Sequence, residues 1–251
     1  MKALVRAFLR KRGFDIVRLR VQDVDGFSDV AARDLQFIRE AQAFTMTSMA
    51  RLVALRDAVD YLVSNNISGD IAECGVWRGG SMMLIAKLLL DRKDTSRTLY
   101  LYDTFEGMSA PTDADKTLDG RKAAQLLGEN EKGNGKWGHG IWCYASIEDV
   151  KNNLESTGYP AEKIRYVKGK VEDTIPKTLP GPLALLRLDT DWYESTKHEL
   201  EHLFPLVASK GILILDDYGV WQGARKAVDE YFRGKPVFLH RIDEAGRTLA
   251  V

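Results

Sequence analysis

The chain has few cysteines and no long apolar stretch. Its 251 residues include only two cysteines, Cys74 and Cys143, in an apolar and a tryptophan-rich segment. This usage is typical of reduced, buried thiols and argues against a disulfide framework. The basic, amphipathic N-terminus contains no apolar run of the length that a signal peptide or a membrane span needs. We therefore expect a cytoplasmic protein without a membrane span.

The chain also lacks an excess of charge of either sign. Lys and Arg together number 36, as do Asp and Glu, so the formal net charge is zero. Because a nucleic-acid partner calls for a surplus of basic residues, we expect none. The length and the 45% hydrophobic content fit one domain with a sizeable core. The composition is also compatible with a homo-oligomer.

Apolar runs alternate with helical patterns from Gly69 to the C-terminus. Runs such as LALLRL and GILIL are continuously apolar, as in parallel strands that are covered on both faces. This order predicts an α/β fold with a doubly wound, Rossmann-like, seven-stranded sheet. The last two runs, PVFLHRI and RTLAV, flank a tight turn at residues 243–246, so we expect the last strand to be antiparallel.

We expect a single domain, residues 1–251, with two accessory segments. Residues 1–44 are charged and helical in pattern, which predicts an N-terminal cap, and Thr47 or Ser48 is expected to cap the docking helix that follows. Residues 111–140 are polar and glycine-rich. A loop of this length over the strand ends is typical of a lid or a binding loop.

The segment GDIAECGVWRGGS, residues 69–81, predicts a strand, a glycine-bearing turn and a helix start. Such a turn forms an anion-binding cradle at the carboxyl edge of an open α/β sheet, although glycines there also serve purely structural roles. Trp77 occupies the space that a pyrophosphate would need, which favours a nucleoside cofactor without a diphosphate. Asp103 ends the next strand, where it can accept hydrogen bonds from ribose hydroxyls or cap a loop.

Two later strands each run into aspartates. LALLRLDTDWYEST contains Asp189 and Asp191, and GILILDDYG contains Asp216 and Asp217. Carboxylates that meet at neighbouring strand ends need a cation, and a hard divalent ion such as Mg²⁺ also lowers the pKa of a hydroxyl. One alternative is that these aspartates are solvated turn residues. Another is that Asp191 caps the next helix.

Four segments, ECGVWRGGS, LYLYDTFEGM, LLRLDTDWYEST and ILDDYG, resemble the macrocin O-methyltransferase family. TMTS with Arg51, WCYAS and KGKVEDTIP are also similar, so the resemblance extends from about Thr45 to the end. It implies a class I methyltransferase fold and an O-methyltransferase that uses S-adenosylmethionine and Mg²⁺. The implied acceptor is a hydroxyl of a sugar or glycoside.

The resemblance, widened to metal-dependent methyltransferases of the catechol type, also implies site residues. The implied cofactor-binding residues are Glu73, Gly75, Trp77, Ser81, Asp103, Val171 and Glu172. The implied metal ligands are Asp189, Asp216 and Asp217, although the catechol type has Asp-Asn at the last pair. Trp192 stands in place of the catechol-type lysine base, and the resemblance to the macrolide enzymes implies that the metal-bound aspartate of the fourth strand, Asp189, takes the proton. Apart from the resemblance, His139 in the polar loop is placed to reach the strand ends and is a second candidate base.

Two other functions remain open. A metal-dependent glycosyltransferase would use Asp189, Thr190 and Asp191 as a clamp for a metal-bound diphosphate, but would need neither ECGVWRGGS nor the later Asp-Asp pair. A protein that binds the cofactor without turnover would retain the same residue types. We expect the cap and the 111–140 loop to select the acceptor. No residue-spacing pattern in these segments indicates which acceptor that is.

Overall fold

A computed structural model describes residue 10 and residues 26–129 and 142–251 of the chain. The chain divides into two compact units, Met1–Ala32 and Arg33–Val251. In the described part of the first unit, the Val30 amide donates to the Phe27 carbonyl at 3.1 Å in a turn. Most of the predicted cap and the whole of the segment around His139 lie outside the described residues.

The second unit is built on a seven-stranded sheet. The strands are β1 (Asp70–Cys74), β2 (Leu99–Asp103), β3 (Ile164–Lys168), β4 (Leu183–Leu188), β5 (Val207–Leu215), β6 (His240–Arg241) and β7 (Arg247–Ala250). Their order is β3-β2-β1-β4-β5-β7-β6, with β1 to β5 parallel and β7 antiparallel to both β5 and β6. This confirms the predicted doubly wound sheet with an antiparallel last strand.

The central strands are buried because their sequences are apolar on both faces. All six residues of β4 are buried, as expected for a parallel strand covered on both sides. β1 and β4 are neighbours although β2 and β3 lie between them in the chain, so the strand order reverses at this pair. A crevice for ligands opens at such a reversal, outside the carboxyl ends of the strands.

Eight α-helices within residues 26–129 and 142–251 accompany the sheet. They are α1 (Ala32–Gln42), α2 (Met49–Ser64), α3 (Gly80–Asp91), α4 (Ala123–Glu129), α5 (Ile147–Glu155), α6 (Val171–Thr174), α7 (Tyr193–His202) and α8 (Gln222–Tyr231). Ser48 caps α2, as predicted, since its side chain accepts a hydrogen bond from the Arg51 amide. Among the helices described, none has both the length and the apolar character needed to cross a bilayer.

The interval 111–140 contains helix α4, which the sequence analysis did not predict. Its residues Leu126 and Leu127 are buried in a cluster with Trp192 and Trp221, which precede α7 and α8. Just before α4, the Asp115 side chain accepts a hydrogen bond from the Tyr193 amide at 2.7 Å. Distant tertiary contacts therefore stabilise a helix within a segment whose composition is that of a loop.

Candidate active site

A cavity of about 380 Å³ lies at the carboxyl ends of the central strands. This volume falls within the range of small-molecule sites, about 300–1,000 Å³. The predicted site residues that line it are Glu73, Gly75, Trp77, Ser81, Asp103, Val171, Glu172, Asp189, Asp216 and Asp217. His139 lies outside the described residues. The structure thus brings every described candidate to one cavity.

The glycines of the turn after β1 are required by close packing within the chain. A Cβ atom on Gly75, whose φ is +79°, would overlap the Asp189 carbonyl. A Cβ atom on Gly80 would lie 2.7 Å from the carbonyl carbon of Phe44. Trp77, with φ of 45°, is buried and also lines the cavity. The turn is therefore closely packed where it borders the cavity.

Asp103 joins the turns that follow β1 and β2. Its Oδ2 accepts hydrogen bonds from the Val76 amide at 2.7 Å and the Trp77 amide at 3.1 Å, and its Oδ1 accepts one from Phe105 at 2.7 Å. Burial raises the pKa of Asp103, while these amide hydrogen bonds lower it. The side chain therefore caps its loop, as the alternative interpretation expected, and also faces the cavity.

Arg187, in the middle of the site, was not identified from the sequence. Its guanidinium is buried and donates from Nη1 to Glu73 at 2.5 Å and Asp189 at 2.7 Å. From Nη2 it donates to Asp216 at 2.5 Å and to the Thr47 hydroxyl at 2.9 Å. A signal was present, because Arg187 is the single charged residue within the apolar run of β4. A charge in a buried strand must be paired.

A second arginine compensates Asp216 further. Arg51 of α2 forms an ion pair with Asp216 and contacts Asp243, between β6 and β7, at 3.1 Å. Burial raises the pKa of Asp216 to about 6, with the charges of Arg187 and Arg51 opposing the shift and that of Asp189 adding to it. Since Asp216 is held between two guanidinium groups, its charge is balanced by the protein itself.

The remaining carboxylates form a cluster with a different composition from the predicted metal set. Asp189, Asp191 and Asp217 each offer one oxygen, and these oxygens lie within 4.8 Å of one another. Burial and the neighbouring carboxylates raise the pKa of Asp191 to about 7 and that of Asp217 well above its ordinary value. The Oδ2 atom of Asp217 is buried without a hydrogen-bond partner. Such a group can hold a divalent cation.

Asp191 belongs to this cluster because of the local backbone. Helix α7 begins at Tyr193 after the cap residue Trp192, so Asp191 does not cap the helix as one alternative suggested. Its φ of 66° lies in the left-handed region, where a non-glycine residue is uncommon. This conformation accompanies its place beside Asp189 and Asp217.

A profile of the macrocin O-methyltransferase (TylF) family matches residues 14–247. The chain belongs to this family. It is 34% identical over 224 residues to the 8-demethyl-8-(2,3-dimethoxy-alpha-L-rhamnosyl)-tetracenomycin-C 4'-O-methyltransferase of Streptomyces olivaceus, covering 89% of this chain and 80% of that protein. It is also 34% identical over 191 residues to demethyldecarbamoylnovobiocin O-methyltransferase of Streptomyces niveus, covering 76% and 68% of the two chains.

Solved structures agree with this assignment. The O-methyltransferase NovP is 30% identical, with a TM-score of 0.68 and coverage of 82% of this chain and 81% of that one. The calicheamicin methyltransferase CalS11, at 17% identity and a TM-score of 0.59 over 94% and 99% of the chains, shares the fold. This macrocin-type O-methyltransferase thus has the class I fold that the resemblance implied, and the glycosyltransferase alternative is set aside.

The buried carboxyl group of Glu73 is expected to make the protein less stable as the pH rises. Burial, opposed by Arg187, raises its pKa from 4.5 to about 8. Between these values the native state binds more protons than the unfolded state, so the free energy of unfolding falls as pH rises. Replacing Glu73 by Gln should remove this contribution, which is at most about 1.4 kcal/mol per pH unit.

The measurement is urea denaturation in EDTA at pH 5, 6, 7 and 8. We expect the unfolding free energy of the Glu73→Gln variant to decline less steeply with pH than that of the unmodified protein. The exposed Glu155→Gln variant, as a control, should follow the unmodified protein. Parallel curves for all three proteins would contradict a raised pKa at Glu73.

Proposed function

We propose that this protein transfers the methyl group of S-adenosylmethionine to a hydroxyl group of a sugar or glycoside, with the assistance of Mg²⁺. The observation that carries the proposal is that one cavity holds both the candidate cofactor residues and the carboxylate cluster. Family membership supplies the reaction type. The names of the relatives support a glycosidic acceptor, since one refers to a rhamnosyl tetracenomycin and another is a mycinamicin III 3''-O-methyltransferase.

The residues around the turn after β1 fit S-adenosylmethionine, which supplies an electrophilic methyl group when bound. The Oε2 atom of Glu73 is buried without a hydrogen-bond partner, which suits an ammonium donor. Ser81 lies in the first turn of α3, where backbone N–H groups and the helix dipole favour a carboxylate. Asp103 would accept from the ribose, with Val171 and Glu172 near the adenine.

The carboxylate cluster fits a hard divalent ion such as Mg²⁺, which supplies positive charge that lowers the pKa of a nearby hydroxyl. We propose Asp189, Asp191 and Asp217 as its protein ligands. The unpartnered Oδ2 of Asp217 supports this set, because a buried carboxylate oxygen without a partner calls for a donor or a cation. Asp216, which the sequence analysis included, is instead committed to two arginines.

The chain's own residues would orient the acceptor and take its proton. Arg187 holds Oδ2 of Asp189 at 2.7 Å and thereby fixes the direction of this carboxylate. We propose that Asp189 accepts the proton of the acceptor hydroxyl, since a general base must lie within hydrogen-bond reach of that proton. Trp221 lines the cavity and packs against Trp192 at a ring-centroid distance of 4.9 Å, which gives the acceptor a rigid apolar wall.

One prediction from the proposed function concerns cofactor binding. Replacing Asp103 by Ala removes the proposed ribose contacts and the anchor of the Val76 and Trp77 amides. A hydrogen bond to a charged group contributes about 1.5–3 kcal/mol, so affinity for S-adenosylhomocysteine should fall at least about tenfold in titration calorimetry. The matched control is Asp113→Ala, which alters an exposed carboxylate outside the cavity. Unchanged affinity in the Asp103→Ala variant would remove this residue from the site.

Another prediction from the proposed function concerns the metal and turnover. Transfer of a labelled methyl group to a panel of rhamnosides should stop in EDTA and resume with Mg²⁺, while S-adenosylhomocysteine binding persists. Asp191→Asn and Asp217→Asn should raise the Mg²⁺ concentration for half-maximal rate more than Asp216→Asn does. Asp189→Asn should lower the rate even at saturating Mg²⁺, because an amide offers the ion an oxygen but takes no proton.

Several outcomes would contradict these assignments separately. Full activity in EDTA would exclude the metal role, and a normal Asp189→Asn enzyme at saturating Mg²⁺ would exclude this residue as the base. A larger metal requirement for Asp216→Asn than for Asp191→Asn would restore the ligand set expected from the sequence. Cofactor binding without transfer to any glycoside of the panel would favour the alternative of binding without turnover.

A further inference from the structure

A buried carboxyl group lies behind the wall of the cavity and has no part in the proposed chemistry. Glu199 of α7 is fully buried and is not among the lining residues. Its Oε2 accepts a hydrogen bond from the Thr190 hydroxyl at 3.1 Å, while its Oε1 has no partner. The Cys74 thiol at the end of β1 lies beside the same carboxyl group. Glu199 therefore contacts Cys74 at the end of β1 and Thr190 just after β4.

Thr190 stands between two of the proposed metal ligands, in a strained segment. The Trp192 amide donates to the Thr190 carbonyl at 2.8 Å, which closes a three-residue turn around Asp191. The φ of Asp191 is 66°, the left-handed form of such a turn, which is rare and strained. A residue in this conformation persists only where its surroundings hold it in place.

Contacts on both sides hold this turn, in addition to the hydrogen bonds that the Asp191 side chain forms with Asp217 and Trp221. On its N-terminal side, the Asp189 amide donates to the Cys74 carbonyl at 2.9 Å. On its C-terminal side, the Trp192 indole donates to the Ser109 carbonyl at 3.1 Å. Between them, the hydrogen bond from Thr190 to Glu199 fastens the residue next to Asp191 to helix α7. This bond restrains the turn at Thr190, whereas the contacts of the Asp189 amide and the Trp192 indole restrain its two ends.

We infer that Glu199 is a positioning residue whose hydrogen bond to Thr190 holds the strained turn that presents Asp191 to the cation cluster. The inference rests on the proposed function, because the cation site is itself proposed. Glu199 lines no part of the cavity and acts through Thr190. Burial raises the pKa of Glu199 well above its ordinary value, so a glutamine is a close substitute for the neutral acid.

The test uses Mn²⁺ as the probe and needs no acceptor. Thr190→Val removes the hydroxyl at nearly constant shape, Glu199→Leu removes the acceptor, and Glu199→Gln keeps an acceptor oxygen. Electron paramagnetic resonance of free Mn²⁺ measures metal affinity, and calorimetry measures S-adenosylhomocysteine affinity. The matched control is Thr248→Val. The hydroxyl of Thr248, in β7, donates a hydrogen bond to the backbone carbonyl of Leu213, in β5, at 3.0 Å.

We expect Thr190→Val and Glu199→Leu each to weaken Mn²⁺ binding about tenfold, which corresponds to about 1.4 kcal/mol. The double variant Thr190→Val/Glu199→Leu should bind Mn²⁺ no more weakly than either single variant, because both substitutions remove the same hydrogen bond. Glu199→Gln and Thr248→Val should stay within about twofold of the unmodified protein. S-adenosylhomocysteine affinity should stay within about twofold in every variant.

Three results would overturn the inference. If Thr190→Val binds Mn²⁺ as tightly as the unmodified protein does, the inference fails but the proposed metal site stands. If Thr190→Val loses as much affinity for S-adenosylhomocysteine as for Mn²⁺, the substitution has disordered the whole site and the inference fails. If the unmodified protein itself binds no Mn²⁺, the proposed metal site fails and the inference fails with it. Should Glu199→Leu not fold, Thr190→Val and Glu199→Gln decide the question.

Discussion

The buried guanidinium of Arg187 is the contact on which the rest of the site depends. It lies within β4 and joins the ends of three adjacent strands through Glu73, Asp189 and Asp216. Removing these charges from water is costly, and only close pairing with full hydrogen bonding offsets that cost. The contacts of Arg187 with these three carboxyl groups therefore restrain the positions of the three strand ends relative to one another. Loss of Arg187 would remove the cation that these three carboxyl groups share.

The same contact divides the carboxylates of the site into two groups. Glu73 and Asp216 are balanced within the protein, and Arg51 adds a second cation at Asp216. Within the described residues, no lysine or arginine forms an ion pair with Asp191 or Asp217, and their pKa values are raised by burial and mutual repulsion. This imbalance is the physical reason for placing a divalent cation at the cluster. The adjacent residues Asp216 and Asp217 thus differ in their charged surroundings.

The sequence was sufficient for the architecture because parallel strands covered on both faces are continuously apolar. The runs of β4 and β5 and the glycine turn after β1 predicted the sheet, which the structure confirms, and the edge of the sheet at which the cavity lies. The sequence did not distinguish Asp191 from Asp216 as a cluster member. That choice depends on a left-handed turn at Asp191 and on the ion pair with Arg51, which is 165 positions from Asp216 in the chain.

Other features escaped prediction for related reasons. Arg187 was not singled out, because it is one charged residue in an otherwise apolar run and the partners that allow its burial come from other strands. Helix α4 depends on contacts with Trp192 and Trp221, which are distant in sequence. His139 lies in a part of the chain outside the described residues, so its role as a second base stays a prediction.

The central claim is that the cation occupies the cluster of Asp189, Asp191 and Asp217 while Arg187 and Arg51 hold Asp216 apart. The most direct measurement is anomalous diffraction from crystals of the protein grown with Mn²⁺ and S-adenosylhomocysteine. The account predicts one strong anomalous peak, bounded by carboxylate oxygens of those three residues, with both arginines still paired to Asp216. A peak at Asp216 with Arg51 displaced, or no peak at saturating Mn²⁺, would contradict it.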